Sequence, residues 1–431
     1  MRRGLLSKLL MNLGIQVSDC QNCHGNLLHA SLASKRTPQL LPVSAAASDD
    51  SCYRRRVDLS PDLYFVDCSG RRYPVGDPRW RGEDGSPLAV GPIPGLRPGD
   101  IDTTDRSLWR YAGALPVDAE RRISLGEGYT PMPVIDWRGM PVYAKLEWFN
   151  PTGSFKDRGV SVMVTHLRAH GARHILEDSS GNGGAAVAAY AAAAGIGATI
   201  FVPAATSPAK IVQARAYGAT IDLVEGTRDE VGDEAIRRST RTPYASHNWH
   251  PMFVQGVETI GYEIWESLGH TAPDNIVVVA GSGSIVLGCD LAFTELLAAG
   301  SVEKRPRLFA GQPQGWATIV DTLDGVSTDC VDRTPTIAEG ASIARPVRLP
   351  EVVAAIRRSG GGGVRVSDDD IRAALRGLAL RGLYAEPTSA VAAAALERLV
   401  AAGAITAGQT TVMILTGTGL KAQGHWQDIT G

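Results

Sequence analysis

The chain has 431 residues, of which 44% are hydrophobic and 20% are charged, a globular composition long enough for two domains or one large α/β body with an extension. Its formal net charge of -2 gives no reason to expect nucleic acid or an anionic membrane as a partner. Six cysteines over this length do not make a disulfide framework, so we expect a reducing, cytoplasmic location.

The chain divides into three predicted regions. Residues 1–50 begin with a basic amphipathic stretch and end in "LPVSAAASDD", which predicts a poorly ordered or targeting-like N-terminus. Residues 51–110 are rich in turn-forming residues and predict a small irregular module. Residues 111–431 alternate apolar runs with helical patterns, which predicts an α/β fold of parallel sheets covered by helices. Within this last region we expect a smaller, mobile α/β subdomain near 171–257.

Apolar and β-branched runs predict strands at 141–147, 198–202, 220–224, 275–280, 307–310 and 411–415. Helical periodicity predicts helices at 155–170, 184–194, 209–217, 228–239, 255–268, 285–299, 368–380 and 389–402. Ser154 is the expected N-cap of the first helix, and Ser367 with Asp370 predicts a capping box. The uncharged stretch 185–205 is too rich in breakers for a membrane span, so it is predicted to split into a helix, a turn and a strand.

The segment "NPTGSFKDRG", residues 150–159, places Lys156 in the first turn of a predicted helix. The positive end of the helix dipole disfavours a cation at this place. A lysine found here is therefore a candidate for a depressed pKa, which a nucleophilic amine requires. For this segment alone, an ordinary helix start is the alternative.

Parallel sheets bind ligands in the loops at the carboxyl ends of their strands, and three further loops of this kind carry suitable groups. "SSGNGG", residues 179–184, offers hydroxyls, an amide and backbone N–H groups that suit a carboxylate. "AGSGS", residues 280–284, predicts a nest of donors for a compact phosphate, since it lacks both the P-loop lysine and the full dinucleotide fingerprint. "LTGTGLK", residues 415–421, places a threonine hydroxyl where it can bond a heteroaromatic nitrogen. Each loop alone could be a plain turn, but with the lysine they describe a pyridoxal phosphate site.

The motifs stand in the order and spacing of a known group of enzymes. Over about residues 120–425 the chain resembles the fold-type II pyridoxal-phosphate enzymes of the tryptophan synthase β-like superfamily, and within them the threonine synthase group. The resemblance rests on "NPTGSFKDRG", "SSGNGGAAVAAYAAAAG", "AKIVQARAYGA", "EPTSA" and "TGTGLK". It implies a two-domain fold, pyridoxal 5'-phosphate as the cofactor, a small amino acid as the substrate and a homodimer.

The resemblance also implies roles for individual residues. Lys156 would form a Schiff base with the cofactor and later shuttle the Cα proton, and Asn182 would hydrogen-bond the cofactor's ring hydroxyl oxygen. Thr416 would meet the pyridine nitrogen, where a neutral hydroxyl weakens carbanion delocalisation and favours elimination over racemisation or transamination. The remaining contacts fall into two sets: Ser179, Ser180 and Gly183 for the substrate carboxylate, and Gly281, Ser282, Gly283 and Ser284 for the cofactor phosphate.

The chain departs from the group at several places. Serines stand in the phosphate loop where the group often has asparagines, and Thr418 replaces a frequent histidine in "TGTGLK". A third departure concerns the substrate. Threonine synthases act on a phosphorylated homoserine and usually carry a stretch like "NPxRxEGxKT", with basic residues near the substrate phosphate. Here the stretch reads "HPMFVQGVET", with Phe253 in place of the arginine and Glu258 in place of the lysine. An aromatic ring and a carboxylate disfavour a buried anion, so O-phosphohomoserine is not the expected substrate. Glu258 is instead expected to bind a cationic group or to act as acid or base on an uncharged leaving group.

Two further features carry weaker signals. The module at 51–110 resembles a degenerate zinc ribbon that retains only Cys68, with Gly82 and Asp84 where a second cysteine pair would fall. One thiolate cannot make a tetrahedral structural site, so we expect no metal. His247 and His250 form a local pair in "SHNWH", for which packing in a turn is the expected role and a place near the substrate the alternative.

The predicted function is pyridoxal-phosphate-dependent β- or γ-elimination or replacement on a small amino acid activated at its side chain. Threonine or serine dehydratase-like deamination and diaminopropionate ammonia-lyase-like deamination are the alternatives within enzymes. A cofactor-binding protein with little turnover is the alternative of another class. The presence of Lys156, Asn182 and Thr416 argues against a protein without turnover.

Overall fold

The structure, a computed structural model, describes residues 63–91, 93–327 and 333–430. The predicted N-terminal region 1–50 and the first part of the 51–110 module lie outside the described residues. The strands are β1 (Tyr64–Val66), β2 (Arg72–Pro74), β3 (Ala89–Val90), β4 (Val134–Trp137), β5 (Met140–Leu146), β6 (His174–Glu177), β7 (Gly197–Pro203), β8 (Thr220–Val224), β9 (Asn275–Val279), β10 (Arg307–Pro313), β11 (Gly362–Val366) and β12 (Thr411–Leu415). The helices are α1 (Lys156–Ala169), α2 (Asn182–Ala194), α3 (Pro208–Ala216), α4 (Arg228–Arg238), α5 (Pro251–Ser267), α6 (Ser284–Ala298), α7 (Thr318–Leu323), α8 (Leu349–Ser359), α9 (Asp368–Ala379), α10 (Pro387–Ala401) and α11 (Gln423–Thr430).

A six-stranded sheet forms the centre of the larger body, in the order β11-β10-β9-β12-β5-β4. Its pairings are parallel except that of β4 with β5. β9 and β12 are buried at every residue, as strands of a parallel sheet covered on both faces should be. Val278 of β9 pairs with Ile414 of β12, so the loops that follow these two strands leave the sheet side by side.

A second, three-stranded parallel sheet, in the order β6-β7-β8, lies within the range 171–257 predicted for a smaller subdomain. Val231 and Ala235 of α4 pack against Phe201 of this sheet and against Tyr244. Tyr244 forms a parallel bridge with Leu176 of β6, which extends the small sheet by one short pairing. Helix α5 packs instead against α1 and α6 of the larger body.

The predicted α/β class with parallel sheets is confirmed, and strands 220–224 and 411–415 are reproduced residue for residue. The stretch 185–205 divides as predicted into α2, a left-handed turn at Gly195 (φ +67°) and β7. Among the described residues, no helix is both long and apolar enough to cross a bilayer. The capping box of Ser367 and Asp370 at the start of α9 is also confirmed.

The prediction that Ser154 caps the first helix is wrong. Helix α1 begins at Lys156, and Phe155 before it has helical backbone angles without a capping side chain. The cause is that Ser154 forms a bridge with Gly417, so its backbone belongs to a strand-like pairing rather than to a helix cap. Its hydroxyl is buried without a hydrogen-bond partner among the described residues.

The described part of the ribbon-like module is a small antiparallel sheet in the order β2-β1-β3. Asp67 accepts hydrogen bonds from Tyr73 Oη at 2.5 Å, from Ser69 Oγ at 2.7 Å and from the Arg71 backbone N–H at 2.9 Å. These bonds hold the turn after β1 in place. Across the three described ranges, no group of three or more His, Cys, Asp or Glu residues could hold a metal ion.

A buried cluster of four charges joins β5, α1 and α5. Arg158 Nε donates to Glu147 at 2.6 Å, and its Nη1 donates to Glu263 at 2.6 Å. Lys145 Nζ donates to Glu263 at 2.7 Å. The four side chains are at most 2% exposed. Because two cations face two carboxylates, the cluster is neutral as a whole, which is the condition for burying such charges at moderate cost.

Replacing Arg158 with methionine should lower the free energy of unfolding by about 3–5 kcal/mol, because it leaves two buried carboxylates with one cation between them. Arg138→Met is the matched control, since Arg138 pairs with Glu397 at 3.0 Å on the surface and its loss should change stability little. Chemical denaturation of both variants measures the difference. Equal losses in the two variants would contradict a dominant role for the buried cluster.

Candidate active site

The loop before α1 pairs with the loop after β12. The Phe155 backbone N–H donates to the Thr416 carbonyl at 3.1 Å, and the Thr418 N–H donates to the Gly153 carbonyl at 3.1 Å. This short antiparallel pairing brings the first turn of α1 against the carboxyl end of the main sheet. Lys156 and Thr416, far apart in sequence, therefore belong to neighbouring loops of one site.

Lys156 is partly buried between aromatic rings. Its Nζ lies 4.6 Å from the ring centroid of Phe155 and 5.4 Å from that of Phe253, and no described residue accepts a hydrogen bond from it. Burial lowers the pKa of Lys156 to about 7, even though the nearby carboxylates of Glu177 and Glu386 favour its charged form. Much of this amine is therefore neutral and nucleophilic near neutral pH.

The loop from Gly281 to Ser284 is built for a close backbone approach. Gly283 has a φ of +84°, and a Cβ there would lie 2.4 Å from Val352 Cγ2, so only glycine fits. No described side chain caps α6, and its first N–H groups remain available to an anion. The hydroxyls of Ser282 and Ser284 lie in this same loop. The donor set suits a phosphate dianion.

Thr416 is buried and held by Ser389. The two hydroxyl oxygens are 3.0 Å apart, and Ser389 Oγ accepts the Gly417 backbone N–H at 2.7 Å. The Thr416 hydroxyl is thereby fixed at the end of β12. The strand itself ends in a neutral hydroxyl, and the Glu386 carboxylate lies beside it, 3.5 Å from Thr416 Oγ1.

Asn182 opens α2 and is engaged on both sides of its amide. Its Nδ2 donates to Glu386 at 3.1 Å, and its Oδ1 accepts from Lys421 Nζ at 3.0 Å. Burial raises the pKa of Glu386, against the hydrogen bond from Asn182 that favours its ionised form. Glu386 and Lys421 were not predicted as site residues, although both lie in the quoted motifs "EPTSA" and "TGTGLK". Together they orient Asn182.

The loop "SSGNGG" packs tightly before α2. A Cβ on Gly184 would lie 1.9 Å from the Ser179 carbonyl oxygen, and one on Gly183 would lie 2.8 Å from His247 Nδ1. No described side chain caps α2 either. Ser180 is partly exposed beside the buried Ser179. Free backbone donors at this helix start suit a carboxylate.

Phe253 and Glu258 lie on different faces of α5. The Phe253 ring covers Gly159, where a Cβ would come within 2.4 Å of it, and it faces Lys156. Five residues further, about 140° around the helix, Glu258 points to the interface with α6. There its carboxyl meets Tyr262 and Glu295, and burial raises its pKa well above the usual range. The structure thus brings Phe253 to the site and does not bring Glu258 there.

The amine, the uncapped helix starts and the strand-end hydroxyl fit the aldehyde, phosphate, carboxylate and ring nitrogen of a pyridoxal phosphate complex. Residues 123–417 match the family described as pyridoxal-phosphate dependent enzyme, and the chain belongs to this family. Its fold is that of the fold-type II members, and its cofactor is pyridoxal 5'-phosphate.

Relatives in sequence include threonine synthases. The chain is 35% identical over 333 residues to one from Methanosarcina acetivorans, which covers 74% of this chain and 82% of the relative. It is 34% identical over 320 residues to one from Mycobacterium bovis, which covers 72% and 87% of the two chains.

Solved structures with the same fold include two plant enzymes. The processed form of threonine deaminase isoform 2 from Solanum lycopersicum has a TM-score of 0.61 at 23% identity, over 79% of this chain and 100% of that chain. Maize serine racemase has a TM-score of 0.57 at 22% identity, over 69% and 91%. At this level of identity the likeness supports the fold and not the reaction.

The rate at which the stripped protein takes up pyridoxal phosphate should rise with pH and reach half its maximum near the Lys156 pKa of about 7, because only the neutral amine attacks an aldehyde. Stopped-flow absorbance after mixing protein and cofactor measures this rate. Lys421→Ala, which keeps Lys156, should retain the same midpoint. A rate that rises only toward an ordinary lysine pKa of about 10.4 would show that Lys156 is not perturbed.

Proposed function

We propose that this chain catalyses elimination or replacement at Cβ or Cγ of a small amino acid, in the manner of threonine synthases, on a side chain that is not a phosphomonoester. The observation that carries the proposal is the position of Phe253 beside Lys156. The side chain is fully buried, and its ring centroid is 5.4 Å from Lys156 Nζ. A phosphate against this ring would lose its hydration without gaining the arginine that the resemblance leads one to expect.

The reaction class draws its support from the threonine synthase relatives at 34–35% identity. The resemblance to that group rests on motifs of this chain that include the lysine of "NPTGSFKDRG" and the threonine of "TGTGLK". The departure at Phe253 bears on the substrate side chain. Glu258 has no part in this argument, because its carboxyl lies between α5 and α6.

When bound, pyridoxal phosphate supplies an aldehyde for the substrate amine and an electron sink for the charge left at Cα. Lys156 would hold the aldehyde and, with a pKa near neutrality, accept and return the Cα proton. The start of α6, with Ser282 and Ser284, would bind the phosphate. Thr416, fixed by Ser389, would face the pyridine nitrogen.

The loop before α2 would hold the substrate end of the complex. The hydroxyls of Ser179 and Ser180 and the backbone around Gly183 would bind the amino-acid carboxylate. Asn182, oriented by Glu386 and Lys421, would bond the cofactor's ring hydroxyl oxygen. The Phe253 ring would exclude water from the side chain being processed.

Steady-state kinetics on O-phosphohomoserine, O-phosphoserine, L-homoserine, L-threonine and L-serine test the proposal. A non-phosphorylated amino acid should have the highest kcat/KM, by about tenfold or more, which corresponds to about 1.4 kcal/mol. An enzyme for which O-phosphohomoserine is the best substrate by that margin would be an ordinary threonine synthase with a rearranged phosphate pocket.

Phe253→Arg should raise kcat/KM for O-phosphohomoserine by about tenfold or more, since one charge-assisted pair is restored. Phe253→Leu is the matched control, because it removes the ring without adding charge and should not favour phosphorylated substrates. Circular dichroism checks that both variants fold. The same gain in both variants would mean that space, and not charge, limits the natural enzyme.

A further inference from the structure

A histidine and a carboxylate form a buried pair beside the proposed substrate site. His247 Nδ1 lies 2.9 Å from Glu177 Oε1, and the His247 backbone N–H donates to Glu177 Oε2 at 3.2 Å. The Asp178 backbone N–H also donates to Glu177, at 3.0 Å. Glu177 is completely buried, whereas 6% of the His247 side chain is exposed. The ring is therefore held in one orientation by a carboxyl group that solvent does not reach.

The His247 ring lies between the aromatic ring that faces Lys156 and the loop before α2. The His247 ring centroid lies 5.9 Å from that of Phe253, which in turn stands next to Lys156. On the other side, Gly183 approaches so closely that a Cβ there would be 2.8 Å from Nδ1. Nε2 has no hydrogen-bond partner within the described part of the chain. The ring as a whole therefore lies between the carboxylate loop and the Phe253 ring, and Nε2 is the ring nitrogen that the protein leaves unengaged there.

The charges around the pair come from three other elements. Lys156 on α1 and Asp178 after β6 both lie close enough to affect His247, and Tyr244 donates to Asp178 at 2.8 Å. Arg228 opens α4 and shares a helix face with Gly232, four residues further on. A Cβ added at Gly232 would lie 3.5 Å from Asp178 Oδ2, so this face of α4 is turned toward Asp178. Arg228 is thus directed toward the same end of β6 and is balanced by Asp178.

The two partners differ in how readily they hold a proton. Burial raises the pKa of Glu177 to about 7, although backbone N–H groups favour its ionised form. Burial lowers the pKa of His247 well below its usual range, and the charge of Lys156 lowers it further. Near neutral pH the imidazole is neutral and the carboxyl exists in both forms. When the carboxyl is protonated it donates to Nδ1, which leaves the ring proton on Nε2.

We propose that Glu177 and His247 act together as the proton donor to the leaving group on the substrate side chain. The inference rests on the proposed function, since it concerns the same elimination or replacement. It assigns to this pair the acid–base role that the sequence assigned to Glu258. The substrate class that requires it is an amino acid whose leaving group is a hydroxyl or an amine, because neither departs from carbon without a proton.

The proposed step is balanced within the pair and the substrate. As the bond from carbon to the leaving oxygen or nitrogen breaks, the leaving atom keeps the electron pair and takes the proton from Nε2. The Glu177 carboxyl proton moves to Nδ1, so that the pair ends as a carboxylate and a neutral imidazole with a lone pair on Nε2. In a replacement this lone pair takes a proton from the incoming water. In an elimination it takes one from solvent.

The test compares two leaving groups at the same carbon. The probes are L-serine and β-chloro-L-alanine at Cβ, or L-homoserine and 2-amino-4-chlorobutanoate at Cγ, because chloride leaves without a proton. His247→Asn should lower kcat for the hydroxyl substrate by about 100-fold or more and for the chloride by less than about threefold. Glu177→Gln should show the same pattern. His174→Asn is the matched control. His174 begins β6, the strand that ends in Glu177, and it is exposed at the opposite end of that strand.

A second measurement does not use turnover. In the cofactor-free protein, 15N-labelled His247 should change its tautomer as pH passes through about 7, where Glu177 loses its proton. Glu177→Gln should abolish that change while the fold is retained.

The outcomes separate the two levels of the proposal. If the natural enzyme turns over neither member of a probe pair, the proposed function fails, and this inference fails with it. Turnover of the chloride without the hydroxyl substrate contradicts the proton-donor role alone. Equal losses on both probes in His247→Asn, or a tautomer independent of pH, would mean that His247 only positions the loop.

Discussion

The ion cluster around Arg158 is the interaction on which the geometry of the site depends. Arg158 lies two residues after Lys156, and its guanidinium is fixed by Glu147 at the end of β5 and by Glu263 in α5. These contacts set the angle of the first turn of α1, while the pairing of Phe155 with Thr416 sets its position along the sheet edge. Since the cluster is neutral and has no free charge to direct at the lysine, burial dominates the pKa of Lys156.

Burial also shifts the pKa values of two groups toward neutral pH, one downward and one upward. It destabilises the ammonium of Lys156 and the carboxylate of Glu177, and each pKa moves to about 7. Pairs of titratable groups whose environments shift them toward the working pH are typical of acid–base chemistry. One group serves the Cα side of the substrate in the proposed mechanism and the other serves the side-chain end. The carboxyl end of β12 in the larger sheet and that of β6 in the smaller sheet bring the two groups into one site.

Much of this could be predicted from the sequence, because apolar runs such as those of β9 and β12 have no alternative but burial, and loops after such strands meet at one edge. Strand β11, "GGVRV", was missed because its glycines carry no strand signal and only its pairing with β10 defines it. Glu258 was misplaced because a motif gives a position in the chain but not a helix face. His247 reaches Glu177 through the pairing of Tyr244 with Leu176, a long-range contact with no local pattern.

We propose that Lys156 is the residue to which the cofactor is attached. Reduction of the cofactor-loaded protein with borohydride, followed by peptide mass spectrometry, tests it directly, because reduction makes the lysine–pyridoxyl bond permanent. We expect the phosphopyridoxyl group on Lys156 in the peptide containing "GSFKDRG", with Lys421 unmodified although its Nζ is 3.0 Å from Asn182 Oδ1. Label on Lys421, or on a lysine outside the site, would contradict it.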